Sequence, residues 1–121
     1  MPAGYQIDKS LGVIFTTGQG VLTGQDILTH RQRLRDDPNF DPSYNQLIDL
    51  RDVIEIDISG AEMAGVAGRS IYSERSRRAI VAGKDTNFGA ARMYELYGEA
   101  NPGHLVVFRD MAEARRWLGL D

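Results

Sequence analysis

Apolar and polar residues recur along this chain with two periods, and the changes of period mark its elements. Tyr5–Asp8 and Leu11–Thr17 alternate with period two around Lys9-Ser10, which predicts an opening β-hairpin. Thr23 then starts a helix to about Arg35, with Asp26 placed as its capping partner, and Asp36-Asp37-Pro38 stops it. The apolar run Gln46–Leu50 and a second extended piece, Asp52–Ile58, lead to a helix from Ser59 to about Tyr72. Gly60, Ala64, Ala67 and Ile71 recur there at helical spacing and make a slim face able to lie close to a sheet. Ala79–Ala82 reads as a short buried strand. The next helix, from about Thr86 to Ala100, has Gly89, Ala90, Met93, Leu96, Tyr97 and Ala100 as its expected core stripe. On that wheel Phe88 and Tyr94 fall on the outer face and form a candidate interface. Asn101-Pro102-Gly103 turns into the strand Leu105–Phe108, and a final helix starts at Asp110 with Glu113 as capping partner.

The order β-β-α-β-α-β-α-β-α predicts an α/β fold: a mostly parallel five-stranded sheet with four helices and an antiparallel opening strand. At 121 residues the chain makes one domain, residues 1–121, able to bury roughly two-thirds of its unfolded surface. No stretch has the length and hydropathy of a membrane span, and Met1-Pro2-Ala3-Gly4 lacks the basic start of a signal peptide. A cytoplasmic protein is expected.

Composition removes several chemistries. Without cysteine there are no disulfides, thiolate zinc sites or cysteine nucleophiles. A net charge of −3 argues against sequence-independent nucleic-acid binding. The one tight basic cluster, Arg75, Arg77 and Arg78, reads as a solvated connector ahead of a strand. His30 and His104 lack ligand spacing, so neither a metal nor a cofactor is expected. His30 falls on or beside the core stripe of its helix and reads as a packed, hydrogen-bonded histidine. No histidine stands ready as base for a serine, so no catalytic residue is assigned. Gly18-Gln19-Gly20 with Gly24 departs from the dinucleotide-binding fingerprint at Thr23, and reads as a strand end and tight turn.

The candidate site is the carboxyl edge of the sheet, where ligands of open α/β sheets bind. It offers Asp57 and Ser59, Lys84 and Asp85, and Arg109 and Asp110 beside helix N-termini, with Lys84 and Arg109 as candidate anion contacts. Ser59 has two readings. With Glu62 it makes a capping box worth typically ~1 kcal/mol, the layout also present at Thr23/Asp26 and Asp110/Glu113. As an accessible hydroxyl followed by Gly60, it is also a candidate phosphoacceptor. Glu62 would repel a phosphate there, while the helix dipole would favour one.

The stretch "LIDLRDVIEIDISGAEMAGVAGR" resembles the strand, loop and helix of the STAS fold of anti-sigma-factor antagonists. In that fold an Asp-Ser-Ser-Gly motif places a phosphorylatable serine at a helix start, and Asp57-Ile58-Ser59-Gly60 occupies the equivalent stretch. The chain as a whole resembles the uncharacterised bacterial SpoIIAA-like proteins, related in fold to STAS and to CRAL-TRIO lipid-binding domains. "GVIFTTGQGVLTGQDIL", "LIDLRDV", "NFGAARMYELY" and "VFRDMAEARRWL" carry that resemblance. It implies a non-enzymatic regulatory or protein-interaction module, docking to a protein partner or to itself as a homodimer, with Ser59 as candidate switch. The alternative it implies is a carrier of a small apolar ligand or lipid. An apolar pocket of several hundred Å³ favours the carrier and a filled core the module.

Overall fold

The chain was described as a computed structural model covering residues 2–121. Its elements follow the expected order: β1 (Ala3–Asp8), β2 (Val13–Thr23), α1 (Gly24–Asp36), β3 (Asn45–Asp57), α2 (Gly60–Ala67), β4 (Arg77–Val81), α3 (Asp85–Tyr97), β5 (His104–Phe108) and α4 (Met111–Trp117). The five strands lie side by side in sequence order. β1 is antiparallel to β2 and every other pair is parallel, giving the mixed, mostly parallel sheet the pattern implied.

Two cores form on opposite faces of the sheet, and Ile14, Leu34 and Tyr72 make a third group. Leu22, Leu50, Val53, Ile80, Ala91 and Val107 join Ile27 of α1 and Phe88 and Tyr94 of α3 on one face. Leu47, Ala79, Val81, Ala114 and Leu118 join Phe108, Met111 and Trp117 under α4 on the other. Successive right-handed crossovers through neighbouring strands place their helices on one side, which leaves α4 to cover the reverse. α2 differs from its neighbours: it packs on α1 and α3 rather than directly on the strands.

Several boundaries depart from the pattern reading. β2 runs through Gly18-Gln19-Gly20 to Thr23 instead of ending there. A Cβ at Gly18 would lie 2.9 Å from Leu50 Cδ2, so the glycine admits a close side chain from β3. β3 is one strand of 13 residues rather than two pieces. Its register against β2 shifts between Thr17 and Gln19 and between Gly20 and Val21, the mark of bulges. Those shifts let Leu50, Val53 and Ile56, spaced by three, share one core, which strict alternation forbids. α2 ends at Ala67, well before Tyr72.

The face assignment of α3 is reversed. Phe88 and Tyr94 are half-buried against the core, so the expected outer interface is an inner face. Met93, Leu96 and Tyr97, expected inside, are 40%, 57% and 48% exposed. Two polar and steric contacts select this face. Asn87 donates its side-chain amide to the Val53 carbonyl at 2.9 Å, and Gly98 sits where a Cβ would meet the Ala67 carbonyl at 3.1 Å. Asn87, Ala91, Tyr94 and Gly98 thus form the inward line at helical spacing.

Gly103, entering β5, combines φ +91° with a close approach: a Cβ there would lie 2.8 Å from the carbonyls of both Ser73 and Ser76. Neither acceptor can move freely, because both belong to backbone. Gly103→Ala is therefore expected to cost more than about 2 kcal/mol, read as a lower urea midpoint at unchanged m-value.

Candidate functional site

The parallel register decides which side chains meet beneath α1, α2 and α3. Gln46 pairs with Arg78, and Ile48 pairs with both Thr16 and Ile80. Alternation then presents Thr16, Gln46, Ile48, Arg78 and Ile80 to the same layer. Arg77 points the other way and stacks on Trp117, its guanidinium carbon 4.3 Å from the ring centroid. The basic cluster is therefore no solvated connector from Arg77 onward: Arg77 and Arg78 belong to β4, and Arg78 is only 7% exposed.

These residues line a partly enclosed cavity of about 110 Å³ between the sheet and the three helices. Leu22, Leu50, Ile56 and Met63 supply much of its apolar wall. Its polar groups fall into two sets. In the first, Gln46 donates to Thr16 Oγ1 at 2.9 Å, and Thr16 Oγ1 lies 3.2 Å from His30 Nε2. Arg31 donates to the Val66 carbonyl at 2.8 Å and to the Tyr94 hydroxyl at 3.1 Å. In the second set, Arg78 Nε and the Tyr72 hydroxyl are buried without any protein partner. The Arg78 guanidinium lies over the Tyr72 ring, 4.6 Å from its centroid. Burial, above all, raises the Tyr72 phenol above its ordinary range, so it keeps its proton. Among the described residues no aspartate or glutamate lines the cavity, while two arginines do.

His30 is a half-buried histidine, hydrogen-bonded as its position on α1 suggested. Burial pulls its pKa down to about 4, with smaller contributions from Arg33 and Arg31. At neutral pH it is an uncharged ring, edge-on to Tyr5 at 5.6 Å between centroids.

The carboxyl edge is arranged differently from the expected rim. Ser59 caps α2 in a full capping box, its hydroxyl accepting from the Glu62 amide at 3.2 Å and its own amide donating to Glu62 Oε1 at 3.1 Å. Asp57, Ser59, Gly60 and Glu62 are all exposed. Arg109 is already matched, by Asp85 at 2.6 Å, and rests over Phe88 at 4.2 Å. Lys84 is exposed at the start of α3 and makes no capping bond. β3 pairs with β4 only as far as Asp49, then runs on to Asp57. Roughly 25 Å of strand at ~3.3 Å per residue thus carries the Ser59 group away from the Lys84 and Arg109 loops. The edge holds two separate groups and not one basin.

The same arrangement of strands and helices occurs in an uncharacterized protein from the DUF3478 family with a SpoIIAA-like fold from Shewanella loihica PV-4. The two share a TM-score of 0.60 and 20% sequence identity over 96% of this chain and 93% of that one. The fold is SpoIIAA-like. No protein-family model matches the chain and no curated protein does either, so the likeness is one of architecture. As a SpoIIAA-like module it contains, among the described residues, no helix long and apolar enough to cross a membrane.

Sequence reasoning missed the residues of the cavity that matter most, Arg78 and Tyr72. A signal for Arg78 was present: it stands two residues before Ile80, in phase with the buried face of β4. Tyr72 was assigned to the end of a helix, but lies in the loop after α2 with its ring in the third core group beside Ile14 and Leu34.

Two outcomes test this geometry. Ser59→Ala should lower stability by ~1 kcal/mol in chemical unfolding, while Ser59→Asp, which also caps, should be nearly neutral. The His30 ring binds no proton in the folded chain until about pH 4, whereas an unfolded histidine does so near 6.5. Unfolding therefore takes up a proton in that window, and stability falls as pH drops from about 6.5 to about 4, by roughly 3 kcal/mol at most. Asp37 and Asp41, held below the usual carboxylate range by backbone and side-chain hydrogen bonds, lose their contribution only lower still. Urea unfolding across the window should show the slope in the wild type and its loss in His30→Gln.

Proposed function

We propose that this chain is a non-enzymatic SpoIIAA-like module that binds a small, mostly apolar molecule between its sheet and helices α1, α2 and α3. The observation that carries the reading is the cavity of about 110 Å³ with its largely aliphatic wall. An apolar cavity of ~150 Å³ is known to admit benzene, so this one is of the right order for a ligand of a few carbons. It is smaller than the several hundred Å³ expected of a carrier of whole lipid chains. The occupant favoured is short.

Binding without chemistry fits the polar groups as well. A histidine with pKa near 4 is a weak base at neutral pH. The hydroxyl hydrogen-bonded to it, on Thr16, is also engaged by Gln46 within the sheet. A nucleophile needs a stronger base and a freer hydroxyl.

A second reading, a protein-interaction module switched at Ser59, is favoured by the exposure of that hydroxyl with Asp57, Gly60 and Glu62 around it. It draws nothing from the cavity. The two readings therefore separate experimentally.

Toluene and hexan-1-ol serve as probes of the cavity. Each should raise the melting temperature of the wild type in a concentration-dependent way, as binding to the folded state alone requires. Ala91→Leu fills the space from the cavity wall, where Ala91 is 4% exposed. That variant should cost less than about 1 kcal/mol because the added methyls enter free volume, and it should no longer respond to either probe. A wild type indifferent to both, in melting temperature and in its methyl NMR spectrum, overturns the binding reading. A change in protein partner between Ser59→Ala and Ser59→Asp would then support the second.

A further inference from the structure

Arg78 presents a problem that the rest of the fold does not solve. Its side chain is among the most buried charged groups in the molecule, at 7% residue exposure, and its Nε has no acceptor. None of the ion pairs among the described residues includes it. A guanidinium removed from water without a counter-charge is costly, and the contact with the Tyr72 ring offsets only part of that. Tyr72, itself 8% exposed, adds a second buried donor with nothing to donate to. Acidic residues outnumber basic ones in the chain, 17 to 14, yet among the described residues none reaches the cavity wall. The cavity is thus locally cationic inside an acidic protein.

Resting on the reading of the cavity as a binding site, we propose that its ligand is a short-chain monocarboxylate, with the carboxylate held by Arg78 and Tyr72 and the tail lying among Leu22, Ile48, Leu50 and Ile80. Arg78 and Tyr72 are neighbouring donors, a carboxylate offers an oxygen to each, and a guanidinium hydrogen bond to a carboxylate is charge-assisted and strong. Most other polar groups at the wall have partners: Thr16 and Gln46 each other, His30 the Thr16 hydroxyl, Arg31 the Val66 carbonyl and Tyr94, and Ser70 the Tyr72 amide, while Thr17 is exposed. A phosphate monoester would bring a larger charge and a third oxygen to the same two donors. The volume restricts the tail to about the size of benzene or a chain of a few carbons.

The test compares hexanoate, hexan-1-ol and hexyl phosphate by calorimetry on the wild type, Arg78→Met and Tyr72→Phe. Wild type should bind hexanoate at least about tenfold tighter than either of the others, as expected of a charge-assisted hydrogen-bonded pair. Arg78→Met should lose that preference while still binding hexan-1-ol, and Tyr72→Phe should weaken hexanoate several-fold with hexan-1-ol unchanged. Without ligand both variants should melt no lower than the wild type, because each removes an unpaired buried polar group. Equal affinity of the wild type for hexanoate and hexan-1-ol overturns the carboxylate and leaves the cavity reading standing. Tighter binding of hexyl phosphate also overturns it, in favour of a phosphate head. No binding of any probe removes both readings. Should Arg78→Met fail to fold, the wild-type ligand series and Tyr72→Phe decide the matter.

Discussion

Arg31 joins the three helices on one face of the sheet. From α1 it donates to the carbonyl of Val66 in the last turn of α2 and to the hydroxyl of Tyr94 on α3. The last turn of a helix has carbonyls without intrahelical partners, so an arginine there both satisfies an acceptor and complements the negative end of the helix dipole. Asn101, without a charge, satisfies the adjacent Ala67 carbonyl by a side-chain amide bond of 2.6 Å. Fastened in this way to its neighbours, α2 spans from α1 to α3 as a roof instead of settling onto the strands. Its glycines and alanines, which suggested intimate contact with the sheet, are largely exposed: Gly60, Ala61, Ala64 and Gly65 face outward and only Met63, Val66 and Ala67 are buried. The cavity persists because the roof is carried by polar ties at its C-terminal end.

Beneath that roof, stability and the proposed recognition pull in opposite directions. Replacing the polar floor by aliphatic side chains would fill space and remove desolvated groups, both favourable to folding. The first polar set resists such replacement on structural grounds, since Thr16, Gln46 and His30 form one connected network whose members depend on each other. Arg78 and Tyr72 have no such protection. The Tyr72 ring packs with Ile14, Leu34 and Phe40, but its hydroxyl has no partner, and the Arg78 guanidinium has only the cation–π contact. Unsatisfied buried groups of this kind concentrate at functional sites.

The elements were legible in the sequence because each carries its own local signals. Thr23 with Asp26 and Ser59 with Glu62 mark helix starts by capping boxes that form as written, whereas Asp110 caps α4 through the Ala112 amide and not in the expected box with Glu113. The sheet order follows from the alternation of short apolar strands with helices. What the pattern could not convey were choices made between elements. α3 has apolar residues on both faces, and only the Asn87 bond to Val53 and the seat of Gly98 against Ala67 decide which turns inward. The bulges in β3 depend on its register with β2 and carry no composition signal of their own. Arg78 was misread for a related reason: next to Arg75 and Arg77 it looks like part of a charged run, and the strand start that separates it from solvent is set by pairing with Gln46. The carboxyl rim failed as a single site because β3 outruns β4, a length mismatch that emerges only once the strands are aligned.

The two functional readings meet in α2. Its first residue follows the exposed Ser59 cap, and its last two carbonyls are held over the cavity by Arg31 and Asn101. A ligand that fits the existing volume leaves those ties intact. A longer one has to lift the roof, breaking the Arg31 bond to Val66 and the Asn101 bond to Ala67 and leaving acceptors that need new partners. Breaking the bond from the charged Arg31 costs about 1.5–3 kcal/mol, comparable to what burying two to four further methylenes returns at ~0.8 kcal/mol each, and the neutral Asn101 bond adds about 0.5–1.5 kcal/mol. On the proposed ligand-binding reading, chain-length selectivity therefore resides in the ties at the end of α2 more than in the cavity wall. A hydrophobic wall alone discriminates weakly between neighbouring homologues, whereas a roof that must break fixed bonds imposes a step.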